Sequence, residues 1–391
     1  MKVLHLGKYF PPFFGGIESF MAQLMRQQQR QGMDVSAIVH QQVKDFTAKT
    51  ATWHGCKVHY VKSYGQLIYA PVAPAFGVRL LRLLRSDRPD IVHVHMPNLS
   101  AFWLLFLAPF TYKSRWIVHW HADVIGSVPD KKVKLLYPLY RIFERWLLSK
   151  ACKVICTSLN YLDSSEALKP YRQICEVVPL GIKDEVQTVA HAKQAVAKEQ
   201  IQNSCTDRPL RLICIGRLTY YKGHCYLLDA LKQLRLQGIP VQLDIVGSGE
   251  LEQMLKQQAE HYQLSEQVTF HGSVSEQRKQ QLLTGADLLC LPSIERTEAF
   301  GVVILEAAAL AIPALVTDVP GSGMSYVVED NKTGLLVKAG NTQSLVDKLI
   351  WASLSKSALA VMGKQARLRQ QHRFSIESVA KQISSLYLHG K

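Results

Sequence analysis

Short apolar runs alternate with longer segments in which apolar residues recur every three or four positions, and this rhythm covers most of the chain. The first run, Val3 to Gly7, reads as a β-strand. A loop with Pro11, Pro12, Gly15 and Gly16 follows. Ile17, Phe20, Met21, Leu24 and Met25 then fall on one helical face, and Gly32 is placed to end that helix. VSAIVH, KVHYV, DIVHVH, RWIVHWH, KVICTS and EVVPLG are further strand candidates, with helical patterns between several of them. From about Lys183 to Pro209 the chain turns polar and carries no buried-strand signal, so this stretch reads as a linker.

The alternation then restarts. LRLICIG, VQLDIVG, VTFHG, DLLCLP and PALVTD read as strands, and LLDALKQLRLQ, ELEQMLKQQAEHY and VVILEAAALA as helices; a last helical pattern (Ile376, Val379, Ile383, Leu386) begins near Phe374. Two such series joined by a linker predict an α/β protein of two doubly wound parallel sheets. Ligands bind such sheets beyond the carboxyl ends of the strands, so two facing sheets predict an interdomain cleft. We expect one Rossmann-like domain over 1–185 and a second over 186–373, with the helix of 374–391 packing back on the first.

At 391 residues, 48% hydrophobic and 20% charged, the chain can fill two ordinary cores. The opening MKVLHLGKYFPP lacks a secretory pattern. The most apolar stretch, Leu99 to Phe110, falls short of the ~20 residues a bilayer span needs. The expectation is a soluble or peripheral cytoplasmic protein. Eight scattered cysteines without a CxxC pair read as buried reduced thiols. Charge changes the picture more. Of the net +15, residues 1–150 carry +12 and residues 151–391 only +3. A basic first half points to an anionic partner, lipid headgroups or nucleic acid.

The candidate chemistry of the second half sits on strand-to-helix loops. In GRLTYYKGH, Arg217 and Lys222 follow a buried strand on a loop whose Gly216 and Gly223 permit tight turns, and two cations there suit a diphosphate. In EAFGVVILE, Glu298 lies in a loop and Glu306 about one turn into a helix; between them Ala299, Phe300, Gly301 and Val302 open the helix with backbone N–H groups that suit an anion. Carboxylates accept strongly from hydroxyls. Such a site fits a diphosphate with a polyol at each end, which is a sugar nucleotide. VGSGELEQM lacks the third glycine of a dinucleotide fingerprint and reads as a place where backbone approaches ligand closely.

Taken in order, G-R-L-x3-K-G, the Glu-x7-Glu element within LPSIERTEAFGVVILEAAALAIPALVTD, EDNKTGLLV and the early PPFFGGIESF resemble the family-4 retaining glycosyltransferases of the GT-B fold over nearly the whole chain. The resemblance implies that Arg217 and Lys222 contact the donor diphosphate, that Glu298 holds donor-sugar hydroxyls and Glu306 the ribose, and that Val274 flanks the base. It also implies retaining transfer of a hexose from a GDP- or UDP-linked donor without metal or other cofactor. A saccharide or polyprenyl-linked saccharide of cell-surface polysaccharide synthesis would be the acceptor. This chain has GSGMSYVVED where many relatives have Gly-Gly-Val before the late glutamate, a departure expected to bear on sugar choice. A GT-B epimerase or phosphorylase, and a non-catalytic sugar-nucleotide-binding partner in a synthase complex, are the competing readings.

In the first half, Gly15 and Gly16 would let backbone N–H groups approach a phosphate or acceptor. HWHADV places His119, His121 and Asp123 at a strand end, and DIVHVHMP places His93 and His95 on one strand face. No thiolate or carboxylate with metal spacing accompanies these histidines, so we expect no metal. His93 reads as a satisfied core residue, while the family's cleft-facing histidine aligns with His121, implying a contact to the donor sugar. Asp123 has two readings, orienting a sugar or acceptor hydroxyl, or capping a turn. The basic, aromatic segment Lys131 to Lys150 lies either on anionic lipid or on its own sheet. The +12 of this half favours docking of some surface at the inner face of the cytoplasmic membrane, and no nucleic-acid-binding module is present.

Overall fold

The computed structural model describes residues 1–12, 15–41, 50–67, 70–111, 113–124, 131–183 and 208–389. Most of the expected linker, Phe13 and Phe14 of the PPFFGG segment, and Cys205 lie outside these residues. Two compact units emerge, unit 1 comprising Met1–Ile182 with Ile376–Lys391, and unit 2 comprising Lys183–Ser375.

Unit 1 is built on β1 (Lys2–Leu6), β2 (Asp34–Gln41), β3 (Thr50–Trp53), β4 (Cys56–Lys62), β7 (Ile91–Met96), β8 (Arg115–Trp120), β9 (Lys153–Cys156) and β10 (Cys175–Val177); a small separate hairpin joins β5 (Gln66–Leu67) to β6 (Ala70–Pro71). The main sheet runs β10-β9-β8-β7-β1-β2-β4-β3. All pairings are parallel except that of β3, which pairs antiparallel to β4 at the edge. That strand is four residues of half-exposed TATW, too short and polar to announce itself, and it makes the sheet mixed rather than purely parallel. Every residue of β7 is buried, because helices cover both faces. Alternation then puts His93 and His95 on one face and the apolar residues between them on the other. Register sets His5 of β1 beside His93, and His95 beside His119 of β8.

The helix Gly16–Arg30 buries Phe20, Met21, Leu24 and Met25 but also Gln27 and Gln28. The polar pair meets the helix Ile376–His389: Gln27 Nε2 donates to Glu377 (2.8 Å), Gln28 Nε2 to the Tyr387 hydroxyl (2.9 Å), and Ser384 Oγ to Gln31 (2.6 Å). The last helix is thus part of unit 1's interior.

Unit 2 contains β11 (Leu210–Ile215), β12 (Val241–Val246), β13 (Val268–Gly272), β14 (Leu288–Leu291), β15 (Ala314–Asp318) and β16 (Gly334–Lys338), all parallel, in the order β13-β12-β11-β14-β15-β16. Five of these strands match the apolar runs of the second half; the sixth, GLLVK, lies inside the EDNKTGLLV motif. Leu212, Leu228, Leu231, Leu243, Leu288 and Leu349 belong to one buried cluster beneath the sheet.

Candidate active site

In unit 2 the strand order reverses between β11 and β14, and crevices open beyond the carboxyl ends of strands at such a point. The loops leaving these two strands carry the cations and acids singled out in the sequence. After β11 the chain turns at Gly216, makes one tight turn over Tyr220–Lys222 and enters the helix His224–Leu236. Lys222 forms an ion pair with Glu298 from the loop after β14, and both side chains are largely buried, at 11% and 13% exposure. Burial alone would lower the lysine's pKa, but the Glu298 carboxylate outweighs it and the pKa is raised, so Lys222 is a cation at neutral pH. The Ile294 amide donates to the Tyr221 carbonyl (2.8 Å), and the Tyr220 hydroxyl to Glu295, which stitches the two loops together.

Gly247 and Gly249 stand in the loop after β12, where another loop lies close against the backbone. A Cβ on Gly247 would strike the Gly216 carbonyl, and one on Gly249 the Leu218 carbonyl. Leu218 N also donates to Ser248 O (3.0 Å), and Leu251 N to Leu218 O (3.1 Å). These glycines therefore let the loop after β12 lie against the segment that bears Arg217, whose own side chain is exposed.

Past Glu298, Ala299 and Phe300 are buried and Gly301 adopts φ +75° to open the helix Val302–Ala309. A side chain is strained at that φ, so glycine is required at this cap. Gly323 N donates to Ala299 O (2.8 Å) and Ser322 Oγ to Glu298 O (2.5 Å), which places the unusual GSGMSY segment against the backbone of Glu298. Glu306, one turn into the helix, pairs with Lys279 at 2.8 Å; this lysine of the helix Glu276–Gly285 also reaches Glu276 at 2.9 Å. Lys279 escaped notice in the sequence because it lies 27 residues from Glu306 on another element. Val274 is half-buried just before the same helix.

In unit 1 the strand order reverses between β1 and β7. Gly15, in extended conformation, precedes the helix Gly16–Arg30, and its carbonyl accepts from Ser19 N (3.0 Å); Gly16 is exposed. His121 stands just past β8, fully buried, its amide donating to Met96 O (3.1 Å) and its ring 5.9 Å from that of Phe20. Asp123 follows two residues on, in the same loop. Its Oδ1 accepts from Trp120 Nε1 (2.7 Å) and Ser165 Oγ (2.8 Å), and its amide donates to the Tyr161 hydroxyl (2.5 Å), so it ties the loop after β8 to the Leu159–Ser164 helix. His93 is buried and hydrogen-bonded to Tyr387 and His119, as a core histidine should be.

Two family profiles divide the chain between them. "Glycosyl transferase 4-like domain" matches 15–181 and "Glycosyl transferases group 1" matches 197–369. Full-length curated relatives agree. The chain is 29% identical to O-antigen chain mannosyltransferase C of Escherichia coli, over 99% of this chain and 98% of the relative. It is 28% identical to the D-rhamnosyltransferase WbpZ of Pseudomonas aeruginosa, over 96% and 92%. The chain belongs to the family-4 glycosyltransferases of the GT-B fold. Solved structures share that fold: sucrose-phosphate synthase from Thermosynechococcus elongatus superposes with a TM-score of 0.77 at 19% identity, covering 99% of this chain and 98% of that one. Anabaena HepE in complex with UDP and glucose superposes with a TM-score of 0.73 at 19% identity, covering 98% of each.

The glycosyltransferase also presents an apolar surface. On the helix Lys131–Lys150, Glu144, Leu147 and Leu148 face inward, while Leu135, Leu139, Ile142 and Trp146 form an exposed stripe at helical spacing. Exposed Phe106 packs on Trp146 (ring centroids 5.9 Å apart), and exposed Trp103 packs on Phe106 (6.1 Å), which extends the stripe sideways. No helix among the described residues is long and apolar enough to cross a membrane.

Proposed function

We propose that this glycosyltransferase moves a hexose, with retention of configuration and without a metal, from a GDP- or UDP-linked donor to a saccharide acceptor, lipid-linked and destined for cell-surface polysaccharide. The observation that carries the donor half is the meeting of Lys222, Glu298 and the opening of the Val302–Ala309 helix at the strand-order reversal of unit 2. A cation held charged beside a helix N-terminus suits a diphosphate. In this reading Arg217 and Lys222 bind the donor diphosphate with the backbone of Ala299, Phe300, Gly301 and Val302. Glu298 takes the donor-sugar hydroxyls, Glu306 the ribose, and Val274 and Gly216 line the nucleotide. From unit 1, His121 contacts the sugar, and Gly15 and Gly16 offer backbone donors.

The acceptor hydroxyl attacks the anomeric carbon on the face from which the diphosphate departs. As the anomeric C–O bond breaks, a diphosphate oxygen takes the hydroxyl proton, so no side-chain base is needed. Products are the glycoside and the nucleoside diphosphate. Stabilisation of the leaving charge by Lys222 contributes about 3 kcal/mol. The mannosyl and rhamnosyl relatives support the acceptor class. The exposed Leu135, Leu139, Ile142 and Trp146 stripe, on a half carrying +12, supports docking on anionic lipid at the cytoplasmic membrane face.

A panel of GDP- and UDP-sugars scored by thermal shift tests the donor assignment, since a bound ligand raises apparent stability. One nucleotide class should stabilise the enzyme, turnover should survive EDTA, and product NMR should show the donor's anomeric configuration. An inverted product, or loss of turnover on chelation, overturns the reading.

A further inference from the structure

Five histidines lie together inside unit 1: His5 on β1, His93 and His95 on β7, His119 on β8 and His121 just past it, each at most 3% exposed. Two trios, His5 with His93 and His95, and His95 with His119 and His121, bring their ring nitrogens within 4.8 Å of one another, close enough to suggest a metal centre. Ring orientation argues otherwise. His93 and His95 stack at an interplanar angle of 0°, and His119 and His121 at 7°. A nitrogen lone pair lies in its ring plane, so stacked rings aim their lone pairs in parallel rather than at one centre. Neighbouring rings instead meet edge to edge. His121 Nε2 is 2.9 Å from His95 Nδ1, His95 Nε2 is 3.0 Å from His5 Nδ1, and His5 Nε2 is 2.8 Å from Gln28 Oε1.

This row has a direction. Gln28 donates its Nε2 to the Tyr387 hydroxyl, so its Oε1 is the acceptor that His5 meets. His5 must then carry its proton on Nε2, which leaves Nδ1 to accept. His95 must in turn donate from Nε2 to His5, and His121 from Nε2 to His95. The row ends at His121 Nδ1, a lone pair buried without a hydrogen-bond partner among the described residues. Buried polar atoms are nearly always satisfied, so this one calls for a ligand.

We propose that His95, His5 and Gln28 are positioning residues that lock His121 in its Nε2–H tautomer, so that its Nδ1 accepts a hydrogen bond from a ligand hydroxyl at the carboxyl end of β8. The hydroxyl partner rests on the reading of His121 as a sugar contact; the tautomer does not. Burial supports the assignment by holding every ring neutral, His5 at about 4 and His121 at about 3.

The test is nitrogen-15 NMR of the full-length protein labelled in its histidine rings, near neutral pH, with Gln28→Leu and Gln28→Glu as companions. His121 should show the Nε2–H pattern, and Gln28→Leu should mix its tautomers and lower kcat about tenfold while the KM for the sugar nucleotide changes less than twofold. A protonated Nδ1 on His121 in the wild-type enzyme overturns the proposal whether or not either variant folds. So does stoichiometric zinc, nickel or copper carried through purification without an affinity tag. Correct tautomers with an unmoved Nδ1 signal on adding the stabilising sugar nucleotide would instead remove the sugar contact and leave the row standing.

Discussion

Unit 1 and unit 2 share a doubly wound plan but bury polar chemistry in opposite ways. Unit 1 keeps it inside the sheet, as neutral imidazoles that hydrogen-bond strand to strand. Unit 2 keeps it at the strand ends, as opposite charges that meet across loops, Lys222 with Glu298 and Lys279 with Glu306. A neutral row tolerates a dry interior but must never take up a proton. A charge pair needs its partner and stays open to exchange with a charged substrate. On the proposed reading, the contrast suits an interior that orients a hydroxyl in one unit and a surface that grips a diphosphate in the other.

Mild acid is the strongest way to separate the two. His5 and His40 are held at about 4 and His121 at about 3, and His93, His95 and His119 well below the usual value, all chiefly by burial. A histidine lowered in the folded state costs nothing above the unfolded pKa of ~6.5. Below it the unfolded chain binds the proton first, and stability falls by about 1.4 kcal/mol per pH unit per residue until the folded pKa is reached. Six such residues act in the same direction, opposed in this unit by Glu144, which burial raises to about 7, and Glu18, also raised by burial, which gain stability as the pH falls. Unit 2 contributes His224, at about 4. Unit 1 should therefore melt first between pH 6 and 5. Tryptophan fluorescence follows it, because Trp53, Trp103, Trp116, Trp120 and Trp146 belong to unit 1 and Trp351 alone to unit 2. A fluorescence transition that waits until pH 4 would erase the distinction.

Next in size is Lys222→Ala, expected to lower kcat about a hundredfold, or about 3 kcal/mol. It also strands Glu298, so Lys222→Ala with Glu298→Ala should melt higher than Lys222→Ala alone. Additive melting shifts would show the pair to be unlinked. On the outer face of unit 1, Ile142→Glu with Leu139→Glu should weaken sedimentation with anionic vesicles at least tenfold, leaving turnover on a soluble acceptor intact. Equal sedimentation of variant and wild type would remove that stripe from membrane docking. Smallest is Glu306→Ala, which should reduce donor affinity about tenfold, ~1.4 kcal/mol, with little change in kcat. Calorimetry that finds donor affinity unchanged removes the ribose contact.

Much of this contrast was visible in the chain and part of it was not. Strands buried on both faces, such as IVHVHM and LRLICI, read as apolar runs, so both sheets emerged from periodicity. Thr50–Trp53 and Gly334–Lys338 did not, one half-exposed and the other embedded in a motif read for its chemistry. Lys222, Glu298 and Glu306 stood out because loop cations and helix-start acids carry local meaning. Their partners were harder. Lys279 sits on a helix with many exposed polar residues, where one more cation draws no attention. His5 looked like a lone polar residue in VLHLG, and Gln28 like one glutamine among several. Only register and the return of the last helix reveal that they close a row with His95 and His121.

That returning helix has a consequence for biosynthesis. Tyr387 and Ser384 complete hydrogen bonds to Gln28 and Gln31, residues translated more than 350 positions earlier. While unit 2 is still leaving the ribosome, the nascent first unit exposes Gln28, His93 and the groove that Ile376–His389 will fill. Domains commonly fold in the order they are made. Here the earlier one must wait for the later, and unit 2 is the first that can finish.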